Sequence, residues 1–165
     1  MGYRKIIIPL LFLILSGCGY YSFKGALPPE LKTIYIENFQ TNVSFYNVEQ
    51  NLTFAVENAF LMENVLQIVN NKEDADLILK GKIVNIDWDT YTVDEGASQA
   101  KEDKLNVTVS VDCYRTDLKK SLWKKKWDRF SLLDVEAGQA ETEDALLIII
   151  EQMSEDIVLY TVAVW

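Results

Sequence analysis

Few places in this chain could support chemistry, and the most uneven of them is a run of bases and indoles. Residues 115–129 include Arg115, Lys119, Lys120, Lys124, Lys125, Lys126 and Arg129, opposed only by Asp117 and Asp128. Trp123 and Trp127 interleave with the bases. If residues 122–130 are extended, Trp123, Lys125, Trp127 and Arg129 share one face at period two. Such a face suits an amphiphile bearing phosphates or carboxylates: the cations hold the anion, while the rings take apolar surface and stack on sugars. The same residues also fit an edge strand whose lysines block aggregation while its tryptophans pack inward. Paired acids stand at Asp74/Asp76 and Asp87/Asp89. On a strand, Asp87 and Asp89 share a face and could meet a cation or work as a carboxylate pair. No third oxygen ligand or glycine turn lies near them, which leaves both pairs as solvated strand and turn residues. The chain contains no histidine, so His-based triads, a His general base and imidazole zinc sites are excluded. With no glycine-rich phosphate loop or nucleophile elbow either, neither an enzymatic activity nor a cofactor or metal is expected.

There are two cysteines, Cys18 and Cys113. Cys18 ends the stretch Leu15-Ser16-Gly17-Cys18, which follows Lys5 and the apolar run Ile6–Leu15. A charged start, an apolar middle and a small-residue cleavage site make a secretory signal. The apolar run is far short of the roughly twenty residues that a membrane-spanning helix needs. Leu-Ser-Gly-Cys resembles a bacterial lipobox. That resemblance implies cleavage before Cys18, a diacylglycerol on its thiol, a further acyl group such as palmitate on its amine, and membrane contact through those chains. Gly19 in place of an aspartate resembles the sorting signal for release to the outer membrane. An acylated Cys18 leaves Cys113 without a disulfide partner, and its alternating apolar surroundings make it a small buried hydrophobe.

The chain has 165 residues, 49% of them apolar and 25% charged, as in one globular domain. A net charge of −9 repels phosphate backbones, so nucleic acid is not an expected partner. Residues 1–17 form the signal peptide, 18–30 a lipidated tether, and 31–165 a single domain. Thr33–Glu37 is β-branched and aromatic and predicts a first strand. Asn47 predicts an N-cap with Gln50 closing a capping box. Val48, Leu52, Ala55, Val56 and Ala59 then recur at helical spacing to about Met62. A short extended piece follows at residues 65–69. From Asp76 a long strand places Leu77, Leu79, Gly81 and Ile83 on one face, before the phase slips to Val84, Ile86 and Trp88. Such a slip requires a β-bulge near Val84–Asn85. Val93–Lys104 is polar and predicts a mobile loop. Leu105–Cys113 alternates strictly, giving a strand with one dry and one wet face. A turn at Thr116–Lys120 leads to a strand over Leu122–Leu133. Last, Leu146, Ile149, Ile150, Met153, Ile157, Tyr160 and Val164 form one stripe of a helix over Glu141–Trp165. The order β-α-β-β-β-α predicts an α+β two-layer sandwich, two helices packed on a four-stranded mixed sheet.

Several of these segments also carry a resemblance. Cys18-Gly-Tyr-Tyr-Ser-Phe-Lys-Gly25, Leu27-Pro28-Pro29 followed by Lys32-Thr33-Ile34, and Asn38-Phe39 resemble the mature N-terminus of the LptE family of lipopolysaccharide-assembly lipoproteins. Asp74-Ala-Asp76-Leu77 with Leu79, Gly81 and Ile83, and Lys104-Leu105-Asn106-Val107 with Val109 and Val111, are similar to that family's long strands. The tail, Glu155-Asp156-Ile157 and Val164-Trp165, fits as well. The resemblance implies a two-helix, four-stranded sandwich. It also implies a job: filling and supporting the outer-membrane β-barrel LptD, and contacting lipopolysaccharide bound for the cell surface. The residues expected to touch the lipid, Lys119, Lys120, Lys124, Lys125, Lys126 and Arg129, come from the basic run itself and not from an alignment. The competing expectation is a lipid-anchored interaction module of another envelope transport or secretion complex.

Overall fold

Strict alternation from Leu105 to Cys113 commits one side of a strand to burial, and the computed structural model shows the sheet built on it. The structure describes residues 27–43, 45–95 and 98–163, without the side chains of 91–95 and 98–101. The signal peptide, Cys18, the tether up to residue 26, and Val164 and Trp165 lie outside the described residues. The elements are β1 (Thr33–Ile36), β2 (Gln40–Thr41), α1 (Val48–Glu63), β3 (Gln67–Ile68), a 3-10 turn (Lys72–Asp74), β4 (Leu77–Glu95), β5 (Ser98–Arg115), β6 (Lys120–Asp134) and α2 (Gln139–Ala163). The sheet order is β3-β1-β4-β5-β6, with β2 also joined to β4. β1 runs parallel to β3 and β4, while β4, β5 and β6 form an antiparallel meander. Both helices bury their apolar stripes on one face of this mixed sheet, which makes the expected two-layer α+β sandwich.

Two expectations about the sheet need correction. Among the described residues the sheet has six strands and not four, because Gln40–Thr41 and Gln67–Ile68 also pair. Two residues are too few to carry a periodicity. Residues 93–104 are also not a loop for most of their length. β4 runs to Glu95 and β5 begins at Ser98, with Asp89 opposite Lys104 and Glu95 opposite Ser98. A main-chain ladder needs no apolar alternation, and polar side chains bridge this one. Asn106 Nδ2 donates to Asp89 at 3.1 Å, and Thr90 Oγ1 donates to Asp103 at 3.2 Å.

Helix ends differ in the same local way. Asn47 precedes α1 but is left-handed, with φ 51°, and makes no side-chain cap. Its carbonyl accepts the N–H groups of Gln50 and Asn51, both at 3.1 Å, so the capping box with Gln50 does not form. A half box appears at α2 instead, where the Glu141 carboxylate accepts the Gly138 N–H at 2.6 Å.

The dry face is closed tightly. Leu105, Val107, Val109, Val111 and Cys113 are at most 1% exposed, packed under Leu52, Val56 and Phe60 of α1 and Leu146, Ile149, Met153 and Ile157 of α2. The predicted slip in β4 falls between Ile83 and Asn85. Val84 is the extra residue and turns outward, so Ile86 and Trp88 return to the helix side, Ile86 half-buried and Trp88 still exposed. Within this face Gly81 has no room for a side chain: a Cβ there would lie 2.0 Å from the Phe39 ring. That ring is itself fixed. The Phe39 N–H donates to Thr53 Oγ1 at 2.9 Å, and the Thr53 hydroxyl donates to the Glu49 carbonyl at 2.7 Å. Cys113 is fully buried, and burial pushes its thiol up to about 12.

Asp76 is a clip between β1 and β4 and not a solvated turn acid. Its Oδ2 accepts the N–H groups of Lys32 at 2.8 Å and Thr33 at 2.9 Å, and the Thr33 hydroxyl at 3.0 Å. Partial burial pushes this carboxyl upward, but the hydrogen bonds from Lys32 and Thr33 outweigh it and hold the group below its ordinary value. A depressed carboxyl stabilises the fold above its unfolded value and loses that contribution as pH falls. Asp76→Asn should therefore cost about 1–2 kcal/mol at neutral pH. In chemical denaturation at a series of pH values, the gap to the wild type should narrow below 3.8, the ordinary value. Gly81→Ala overpacks the Phe39 contact and should cost about 1–3 kcal/mol in a urea melt.

Candidate functional site

The basic run forms β6, and because strand residues alternate, the structure divides it between two faces. Trp123 and Trp127, 7% and 5% exposed, point toward the helix layer. They pack edge-on against each other at 5.7 Å and against Tyr160 of α2 at 5.2 and 5.7 Å. Lys125 lies between them in sequence and on the same side. Its ammonium is 4.0 Å from the Tyr160 ring centroid and 5.0 Å from that of Trp127. Arg129, next on this side, pairs with Asp156 of α2. The indoles therefore have no open face for a sugar, and the cation their rings hold is the chain's own. Lys125 and Arg129 are charges turned inward on an edge strand, a known means of preventing another chain from pairing there.

Lys124 and Lys126 point the other way, onto the sheet face that no helix covers. There they meet two lysines that the sequence pattern did not single out. Cross-strand register aligns Lys80, Asp112 and Lys124 in one row, and Lys82, Ser110 and Lys126 in the next. All four lysines are exposed. Strand spacings place them at the corners of a rectangle of about 10 by 7 Å. Asp112 is the acid between them, and it accepts the Ser121 hydroxyl at 2.6 Å. Farther along the same face Phe130 and Leu132 are 53% and 45% exposed, with the Lys104 ammonium 4.3 Å from the Phe130 ring. The open face thus has a cationic end and a mixed end, where exposed Phe130 and Leu132 share rows with Asp87, Asp89 and Lys104, and the cationic end can hold the anionic head of an amphiphile. Lys80 and Lys82 escaped notice because they lie on a different strand, some forty residues earlier in the chain. Only the period-two parity of Lys80 and Lys82 against Leu79 and Ile83 hinted at their exposure.

The remaining candidates lie elsewhere. Lys119 and Lys120 sit exposed at the β5–β6 turn, Lys119 with φ 50°. Arg115 forks onto Asp117 at 2.7 and 2.8 Å and reaches Glu30 at 3.3 Å. That hydrogen-bonded partner is what holds the Asp117 carboxyl below its ordinary value. Asp87 accepts Asn85 Nδ2 at 2.7 Å on the open face. Among the described residues no group of three or more acidic, histidine or cysteine side chains gathers as a metal centre. A groove of about 530 Å³ between α1 and α2 is lined by Phe54, Met62, Leu147 and Leu159, with Glu63, Glu151 and Glu155 at its rim. No described helix is long and apolar enough to cross a membrane.

The fold is an α+β sandwich that recurs among bacterial proteins of solved structure, some of them described as lipoproteins. A minor lipoprotein from Acinetobacter baumannii is 12% identical, with a TM-score of 0.53 over 80% of this chain and 93% of that one. A protein from Xanthomonas campestris is 9% identical, with a TM-score of 0.62 over 83% and 87%. An uncharacterized lipoprotein B from Nitrosomonas europaea is 15% identical, with a TM-score of 0.54 over 90% and 92%. At these identities the likeness is one of fold. No curated protein matches the sequence. The family model for lipopolysaccharide assembly matches residues 31–161, and the chain belongs to that family, LptE.

The inward charges of β6 make a testable contribution. Replacing Lys125 and Arg129 together by valine removes the edge protection while keeping β propensity. The double variant should self-associate with rising concentration in sedimentation velocity, while Lys124→Val with Lys126→Val on the open face should associate less.

Proposed function

We propose that this chain is a non-enzymatic lipoprotein of the outer membrane, held by acyl chains on Cys18, that plugs and supports the LptD barrel during lipopolysaccharide transport and assembly. The observation that carries this reading is the match of residues 31–161 to the lipopolysaccharide-assembly family. Several acyl chains, each contributing about 0.8 kcal/mol per buried CH₂, anchor a domain firmly where one chain would bind only marginally. The domain faces the periplasm or the barrel lumen.

Direct lipid contact falls on the open sheet face. Lys124 and Lys126 from the original set, joined by Lys80 and Lys82, meet the phosphates or carboxylates of the lipid head, and Phe130 and Leu132 meet apolar surface. Lys119 and Lys120 extend the cationic end at the β5–β6 turn. Lys125 and Arg129 support β6 from behind, since the aromatic cluster and Asp156 already engage them.

Two measurements test the two levels of this reading. Affinity purification of the tagged full chain from detergent should bring down a large outer-membrane β-barrel, and recovery of a different envelope complex in its place would sink the plug assignment. For the lipid contact, Lys80, Lys82, Lys124 and Lys126 changed together to Glu should weaken lipopolysaccharide binding by about tenfold or more, as expected when charge-assisted contacts are reversed. Unchanged affinity would remove the open face from the reading.

A further inference from the structure

The sheet has a second long edge, and past the Val84 bulge it carries no inward-turned Lys or Arg like those on β6. β1 pairs with β4 only over Leu77–Leu79, and β2 only at Lys82 and Ile83. From Asn85 onward β4 has β5 on one side, and among the described residues no strand pairs with the other side. Every second N–H and C=O along that side points away from the sheet, the arrangement that templates pairing with another strand. Val84–Thr90 contains no Lys, Arg or Pro, and Val84 and Trp88 are 43% and 44% exposed. Side chains alternate cleanly: Asp87 and Asp89 stand on the open face, Ile86 and Trp88 on the helix side.

We propose that the outer edge of β4, Val84–Thr90, docks an extended segment of a partner protein by strand addition, and that this segment alternates basic and apolar residues. Main-chain hydrogen bonds supply the affinity in this mode, and alternate side chains supply the choice of partner. Opposite Asp87 and Asp89 the added strand favours Lys or Arg, because unlike charges facing each other across a pair stabilise it and like charges do not. Opposite Ile86 and Trp88 it favours Val, Ile or an aromatic ring. The same charges argue against a second copy of this chain. An edge pairing with its own two-fold mate would set two Asp87–Asp89 rows together. The β6 edge of another copy is basic but blocked by Lys125 and Arg129 turned inward. The proposal does not depend on the lipid-contact reading, whose lysines lie on the face and not on this edge.

The test uses the full chain in detergent and three blocked nine-residue peptides. One alternates Lys with Val, one has Glu in place of Lys, and one keeps the Lys-Val side chains but carries N-methyl groups on the amides of one edge. Amide exchange and NMR shifts locate the peptide. The proposal expects slowed exchange at Val84–Thr90 with the Lys-Val peptide, binding weaker by about tenfold for the Glu peptide, and loss of binding for the N-methylated one. In the Asp87→Lys, Asp89→Lys variant the preference between Lys and Glu peptides should reverse. Protection on β6, on the helix groove or nowhere would overturn the proposal. So would equal binding of the N-methylated peptide, since that would mark plain charge attraction. Concentration-dependent dimerisation through the same amides would assign the edge to a second copy and would also overturn it.

Discussion

Everything in this molecule depends on a sheet that is dry on one side only. Three long antiparallel strands share that side, and a one-residue shift in any of them would carry its whole apolar set into water. Two irregularities keep the strands in phase. In β4 the extra residue is Val84, between Ile83 and Asn85. In β6 it is Leu122, where the register moves from Cys113 opposite Trp123 to Tyr114 opposite Ser121. The first adjusts parity so that Ile83 before it and Ile86 after it both face the helices, and the second brings Trp123 and Trp127 opposite Cys113 and Val109 on that side. The open face is the counterpart of this arrangement: whatever alternation excludes from the core is displayed there, which is why lysines from β4 and β6 assemble into one surface.

The same rule separates what the chain spelled out from what it concealed. Leu105–Cys113, the slip at Val84 and the stripes of both helices are period signals of burial, and burial is what the fold enforces. Pairing that buries little leaves no such trace. The two-residue strands at Gln40–Thr41 and Gln67–Ile68, and the polar extension of the β4–β5 hairpin, are held by main-chain bonds that do not require a particular side chain. Asn47 shows a further limit, since a suitable capping residue takes a left-handed conformation when the approach of Phe45 and Tyr46 sets the chain direction.

The candidate site was legible in composition but not in geometry. A run of bases suggests one patch, yet a strand distributes neighbours to opposite sides. All three lysines are exposed, but Lys124 and Lys126 stand on the open face while Lys125 lies on the helix side over Tyr160. The tryptophans that looked like stacking platforms are packing residues, and half of the open cationic surface comes from Lys80 and Lys82 in a different strand. Only cross-strand register joins these residues, and register is a property of the folded sheet.

Cys113 lies at the centre of this construction, opposite Leu79 on one side and Trp123 on the other. With its thiol pushed up to about 12, the nucleophilic thiolate is nearly absent at neutral pH, and no solvent reaches the sulfur. A thiol reagent can reach it only when the meander parts. The sulfur therefore acts as a clock set inside the sheet: its rate of labelling counts how often the middle strand comes free.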